Sequence, residues 1–115
     1  MMTEEWPDEL DALVAAPRHH ALLFENEHVR VLDTRIAPGE TVPPHTHRWP
    51  STLYVLSWSD FVRRDRDGNI LVDSRTKGTS FEGQALWSKP LDLHTLENVG
   101  QKEFRAISVE VKGAA

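Results

Sequence analysis

The chain has 115 residues, a formal net charge of −5 and no cysteine, which fits one domain and excludes both a disulfide framework and thiolate chemistry. The acidic balance is the wrong sign for a nucleic-acid footprint, which needs a basic face. No apolar run approaches the ~20 residues of a membrane span, and the acidic opening Met1-Met2-Thr3-Glu4-Glu5-Trp6 lacks the basic and apolar regions of a secretory signal, so a cytoplasmic protein without nucleic-acid or membrane partners is expected.

Residues 3–16 predict a short helix. Pro7 suits its first turn, Asp8 and Glu9 complement the positive end of the helix dipole, and Pro17 stops it. Leu10, Leu13 and Val14 supply a stripe for packing on a surface. His19 and His20 follow in a polar linker. As neighbours on an extended chain they point opposite ways, so joint ligation is not expected of them, and a structural or exposed role is. The division expected is a helical segment at 1–20 and a β domain at 21–115.

From residue 21 onward the signals are strand and turn. Residues 21–26 and 28–36 are rich in apolar and β-branched side chains, and Pro38-Gly39 closes a turn. In the second run Val29 and Val31 favour one face and Leu32 and Ile36 the other, which implies a bulge or two covered faces. Residues 52–58 carry Leu53 and Val55 on one face and Tyr54, Leu56 and Trp58 on the other; a strand apolar on both faces is buried on both, which predicts a homodimer or a covering segment. Strands at 61–65 and 70–73 flank the turn Arg66-Asp67-Gly68-Asn69. Asp65, Asp67 and Asn69 there lack the closing glutamate of a calcium loop and are read as turn residues. A polar loop at 75–83, long enough to fold over a pocket mouth, precedes strands at 85–88, 93–98 and 103–112. Turns are expected at Pro90-Leu91-Asp92 and at 99–102, with Ile107, Val109 and Val111 facing inward on the last strand. Short strands at regular spacing indicate an all-β jelly-roll barrel.

The chemistry-bearing stretch is Gly39-Glu40-Thr41-Val42-Pro43-Pro44-His45-Thr46-His47. Alternate residues of a strand share a face about 6.5–7 Å apart, so His45 and His47 can converge on one ion, and the two prolines stiffen the approach. Gly39, five residues, then His45-x-His47 resembles the first motif of the cupin superfamily, although Ser51 stands where that motif carries Glu and Trp58 where it carries Gly. Gly83, His94 and Asn98 match the second motif in spacing, with Lys89 and Leu91 in place of its Pro and Gly. The resemblance runs over roughly residues 29–111. The wording around His45–Ser51 and Leu53–Ser57 also resembles small cupins associated with β-alanine breakdown.

The resemblance implies a cupin jelly-roll barrel with a short N-terminal helix, in which His94 faces His45 and His47 across the cavity. Three imidazoles suit one divalent transition metal such as iron, nickel or zinc. Ser51 in place of a carboxylate leaves the expected ion its full charge, which favours an anionic chelating substrate or dioxygen and resembles three-histidine cupin dioxygenases. Leu53 and Val55 continue the Ser51 face as an apolar wall. Asn98 orients a ligand or bonds backbone at the strand end. Arg35 and Arg48 are candidates for gripping a carboxylate. The expected function is a mononuclear metal-dependent dioxygenase acting on a small carboxylate metabolite; the alternatives are a small-molecule-binding cupin without catalysis and a metal-free structural dimer.

Overall fold

A computed structural model describes residues 6–113. The predicted helix is shorter than expected: a 3₁₀ turn at Asp8–Leu10 is followed by α1, Ala12–Ala15, and residues 3–5 lie outside the described residues. Asp11 breaks the two apart, because its side chain accepts from the Leu13 amide as an N-cap. The buried face is Ala12 and Ala16, while Val14 is exposed, so the packing stripe is one of small residues rather than Leu10, Leu13 and Val14.

Among the described residues there are nine strands, β1 (His20–Glu25), β2 (Val29–Ile36), β3 (Thr41–His47), β4 (Ser51–Ser57), β5 (Phe61–Asp65), β6 (Ile70–Asp73), β7 (Ala85–Ser88), β8 (Leu91–Asn98) and β9 (Phe104–Val111). They form a five-stranded sheet in the order β1-β2-β9-β4-β7 and a four-stranded sheet in the order β3-β8-β5-β6. Every strand pairing within the two sheets is antiparallel. Interleaving of strands distant in sequence is the mark of a jelly roll. Pro43 and Pro44 are tolerated because β3 is an edge strand, where a missing amide donor breaks no interior ladder.

Several expected orientations are corrected. The last strand is inverted: Phe104, Ala106 and Ser108 line the interior, so Ile107, Val109 and Val111 stand on the opposite face. Strand β2 pairs with β9 without a register shift, and the irregularity lies in β1 between Leu22 and Phe24. Leu91 and Asp92 open β8 rather than forming a turn. Leu53 and Val55 face inward as expected, but a shift between Val55 and Ser57 turns Trp58 in as well, against Phe61, Phe81 and Phe104. The hairpin turn is as read: Asp65 accepts from the amides of Asp67 and Asn69, and Gly68 has φ 86°. Phe81, inside the predicted polar loop, packs on the core.

Asn98 is wholly occupied in holding this core. Its Nδ2 donates to the carbonyls of Ile36 and Lys102, and its Oδ1 accepts from Ser59 Oγ and the Gly100 amide. It therefore pins the β8–β9 turn to β2 and does not line the cavity, so of its two expected uses the backbone bond is the one seen and the pocket one is not. Asn98→Ala is expected to destabilise the protein by about 3 kcal/mol, since several buried partners lose their bonds at once. Urea unfolding measures this, and a loss under about 1 kcal/mol would contradict the role.

Candidate metal and ligand site

Across the five-stranded sheet the interior row reads Arg30, Glu110, Ser51, Ser88, directly opposed on β2, β9, β4 and β7. On the facing sheet His45 is opposed to His94 across β3 and β8. Alternation brings His47 to the same side as His45, with ring centroids 5.0 Å apart, and His94 lies 4.3 Å from His45 and 5.8 Å from His47. The fourth ring is His20, at the start of β1, 5.0 Å from His45 and 5.4 Å from His47. The ligand atoms of His20, His45 and His47 lie within 4.8 Å of one another. The trio whose ligand atoms converge is therefore His20, which the sequence reading placed in a linker, with His45 and His47; His94, expected as the third ligand, stands beside them with its ring against that of His45.

Each ring is held by its Nδ1. His45 Nδ1 meets the Pro43 carbonyl at 2.7 Å, His94 Nδ1 the Asp92 carbonyl at 2.7 Å, His20 Nδ1 the Ala16 carbonyl at 3.0 Å, and His47 Nδ1 a Glu110 carboxylate oxygen at 2.8 Å. Carbonyl and carboxylate oxygens only accept, so every Nδ1 carries the proton and donates it. In a neutral ring the Nε2 is then a bare lone pair. Burial keeps three of the rings neutral: it pushes His45 down to about 2, aided by His94 and His47 nearby, and outweighs the backbone bonds that oppose it in lowering His94 to about 3 and His20 to about 4. Neutral imidazoles with the distal nitrogen tethered are the form in which histidine binds a transition metal.

Behind His47 runs a buried chain of charge. Glu110 accepts from Arg30 Nε at 2.6 Å, and both terminal nitrogens of Arg30 donate to the Asp11 carboxylate at 2.9 Å. Burial raises the Glu110 carboxyl, but the bonds from His47 and Arg30 prevail and hold it below its usual range. A carboxylate nevertheless stands close to the rings: Ser51 occupies the place of the family glutamate on β4, and Glu110 lies directly opposite it on β9, one hydrogen bond beyond the ring of His47. Sequence reading missed Glu110 because it follows Ile107 and Val109 in an alternation whose charged members looked solvent-facing.

The cluster opens into a cavity of about 430 Å³ lined by Ser51, Leu53, Val55, Trp58, Phe61 and Phe104, among others. Arg35 and Arg48 do not reach it. Arg35 lies 3.4 Å from Asp33, and Arg48 bonds Asp8 and the Trp6 carbonyl. His19 points away from its neighbour, with Nε2 3.4 Å from Glu40.

No family model matches the sequence, and no curated protein matches it. Solved structures do. A cupin domain from Bordetella pertussis Tohama I superposes with a TM-score of 0.63 at 18% identity, over 82% of this chain and 92% of that one. A RmlC-like cupin family protein with a double-stranded β-helix fold from Methanocaldococcus jannaschii gives 0.57 at 15% identity, over 80% and 77%. A protein from Thermotoga maritima described as a predicted oxalate decarboxylase gives 0.50 at 19% identity, over 80% and 77%. The fold is the cupin double-stranded β-helix, as the motif resemblance implied.

Glu110→Ala is expected to destabilise the metal-free protein by about 3–5 kcal/mol, because it strips a buried cation of one partner and frees His47. Urea denaturation measures the loss, and a variant as stable as wild type would show that the chain of charge carries no weight.

Proposed function

We propose that this cupin holds one divalent transition ion, iron, nickel or zinc, on His20, His45, His47 and His94, and acts on a small carboxylate by dioxygenase-type chemistry. The observation that carries the reading is the shared Nδ1 anchoring: four rings, three of them buried, each set Nδ1 against a fixed acceptor and leave Nε2 free. Imidazole sets of this kind suit those metals rather than magnesium or calcium. When bound, such an ion supplies Lewis acidity and, where redox-active, a means of activating dioxygen.

The chain's own residues prepare the site. Glu110 fixes the plane of His47, while Trp58, Phe61 and Phe104 exclude water from the cavity floor. The name of the Thermotoga maritima relative likewise points to a carboxylate. The second reading, a binding protein without turnover, draws on a different observation: among the described residues no Asp, Glu or Tyr lines the cavity, so the wall offers no carboxyl or phenol for proton transfer.

Elemental analysis of untagged protein is expected to find one transition metal per chain. His20→Ala and His94→Ala are each expected to weaken its retention by about 100-fold, given that even outer-sphere changes cost 10–100-fold. No stoichiometric uptake after incubation with iron(II), nickel(II) or zinc(II) would overturn the metal reading. Oxygen consumption by iron-loaded protein, with a panel of thiols, β-diketones and amino-acid derivatives including those of β-alanine, separates enzyme from binder.

The outer face of the five-stranded sheet supports a homodimer. Trp87, Thr52, Val109, Val31 and Phe24 follow one another in register across all five strands, beside Tyr54 and Leu56; Trp87, Tyr54 and Leu56 are 64%, 46% and 43% exposed. A contiguous apolar face of this kind fits a second copy. Light scattering at micromolar concentration is expected to give a dimer that Trp87→Glu dissociates; a monomeric wild type would refute it.

A further inference from the structure

Among the described residues, eight of the nine arginines form an ion pair with a carboxylate: Arg18, Arg30, Arg35, Arg48, Arg64, Arg66, Arg75 and Arg105. Arg63 does not, and Arg63 is the one that lines the cavity. Its Nε is buried without a hydrogen-bond partner, and its guanidinium carbon lies 5.9 Å from the centre of the Phe61 ring. Desolvation depresses its basicity, and although Asp65, Asp67 and Asp92 line an outer pocket with it, none of them pairs with it. The cavity wall adds Lys89 and, among the described residues, no carboxylate, in a chain whose net charge is −5. A cation kept in an apolar wall without a counter-charge costs stability, and a planar fork of donors is the group that matches a carboxylate.

Its position relative to the histidines follows from register. Arg63 on β5 is opposed to Leu96 on β8, and His94 is two residues along β8 on the same interior face. Diagonal neighbours of this type lie about 7–8 Å apart. A small molecule can therefore touch both the guanidinium and the imidazoles.

We propose that Arg63 is the anion grip of this cavity, taking the carboxylate of a small ligand whose apolar body lies on Trp58, Phe61 and Phe104 and whose other end faces the four imidazoles. The proposal rests on the metal-site reading only for that other end; the grip itself requires no ion. With Lys89 exposed at the rim, the guanidinium is the one cation set within the wall and balances one negative charge, which favours a monocarboxylate over a phosphate dianion.

Calorimetric titration with 3-phenylpropanoate, 3-phenylpropanamide and phenyl phosphate, on metal-free and cobalt(II)-loaded protein, tests this. The acid is expected to bind both forms, with the amide and the phosphate at least tenfold weaker. Arg63→Met is expected to lose at least tenfold in affinity for the acid while its thermal midpoint stays level or rises, because an unpaired charge has been replaced by an apolar chain; a residue held only for structure would lower it. Arg63→Lys is expected to retain part of the binding. In wild type, bound acid is expected to protect Arg63 from phenylglyoxal, as mapped by mass spectrometry, which needs no variant to fold. Equal binding of acid and amide, preference for the phosphate, no binding of the acid to either form, or an Arg63→Met variant that binds the acid unchanged would each overturn the grip. Acid binding by protein that takes up no cobalt(II) on loading would refute the metal centre and leave the grip standing, whereas cobalt(II) uptake without acid binding would do the opposite.

Discussion

Glu110 is the carboxylate on which the interior depends. Fully buried on β9, it answers a guanidinium on β2 with one oxygen and an imidazole on β3 with the other. Those two strands belong to different sheets, so a single side chain ties the two halves of the barrel together at the site. A buried carboxylate is tolerated only where its bonds replace its lost hydration, and here both of its oxygens are occupied. The same constraint reaches the N-terminal segment, because Arg30 also takes both oxygens of Asp11, the residue that caps α1. Asp11 in turn bridges to Thr46, the residue between the two motif histidines.

The imidazole cluster inherits its order from these supports. Three rings are fixed by backbone carbonyls and the fourth by Glu110, so their tautomers are determined before any ligand arrives. Rings left free to turn would lose entropy on binding; these have already lost it to the fold. The negative charge that the cupin motif places on β4 stands one strand across on β9 and one bond outward, which leaves the donor set without a carboxylate but with one behind it.

The barrel and three of the four rings were legible because motif spacing and strand alternation are local properties: His45 and His47 share a face by parity, and His94 matches at a distance. His20 carried no motif. Its neighbour His19 and the preceding Pro17 gave the stretch the look of a linker, although continuing the strand one residue earlier would have placed His20 within it. The last strand misled for a physical reason. Its inward members, Phe104, Ala106, Ser108 and Glu110, are less apolar than Ile107, Val109 and Val111 on the outer face, because the inner side runs up to the imidazole cluster and the other presents a bare apolar sheet. Arg63 was hidden in Arg63-Arg64-Asp65-Arg66, a run whose composition reads as solvent-facing and of which one member turns in.

The rings come from the first, third and eighth strands, so the cluster exists only when distant parts of the chain have met. An ion gripped by all of them would have affinity for the completed barrel and little for a partly assembled one, and mass action would then make metal supply a determinant of how much of the chain stays folded. Long-range strand pairing is slow to form, and the edge strand β1, with its exposed Leu22, Leu23 and Phe24, is held largely by its pairing with β2. His20 would let an ion fasten that strand from inside, so that starvation for metal would first loosen the segment most prone to aggregate.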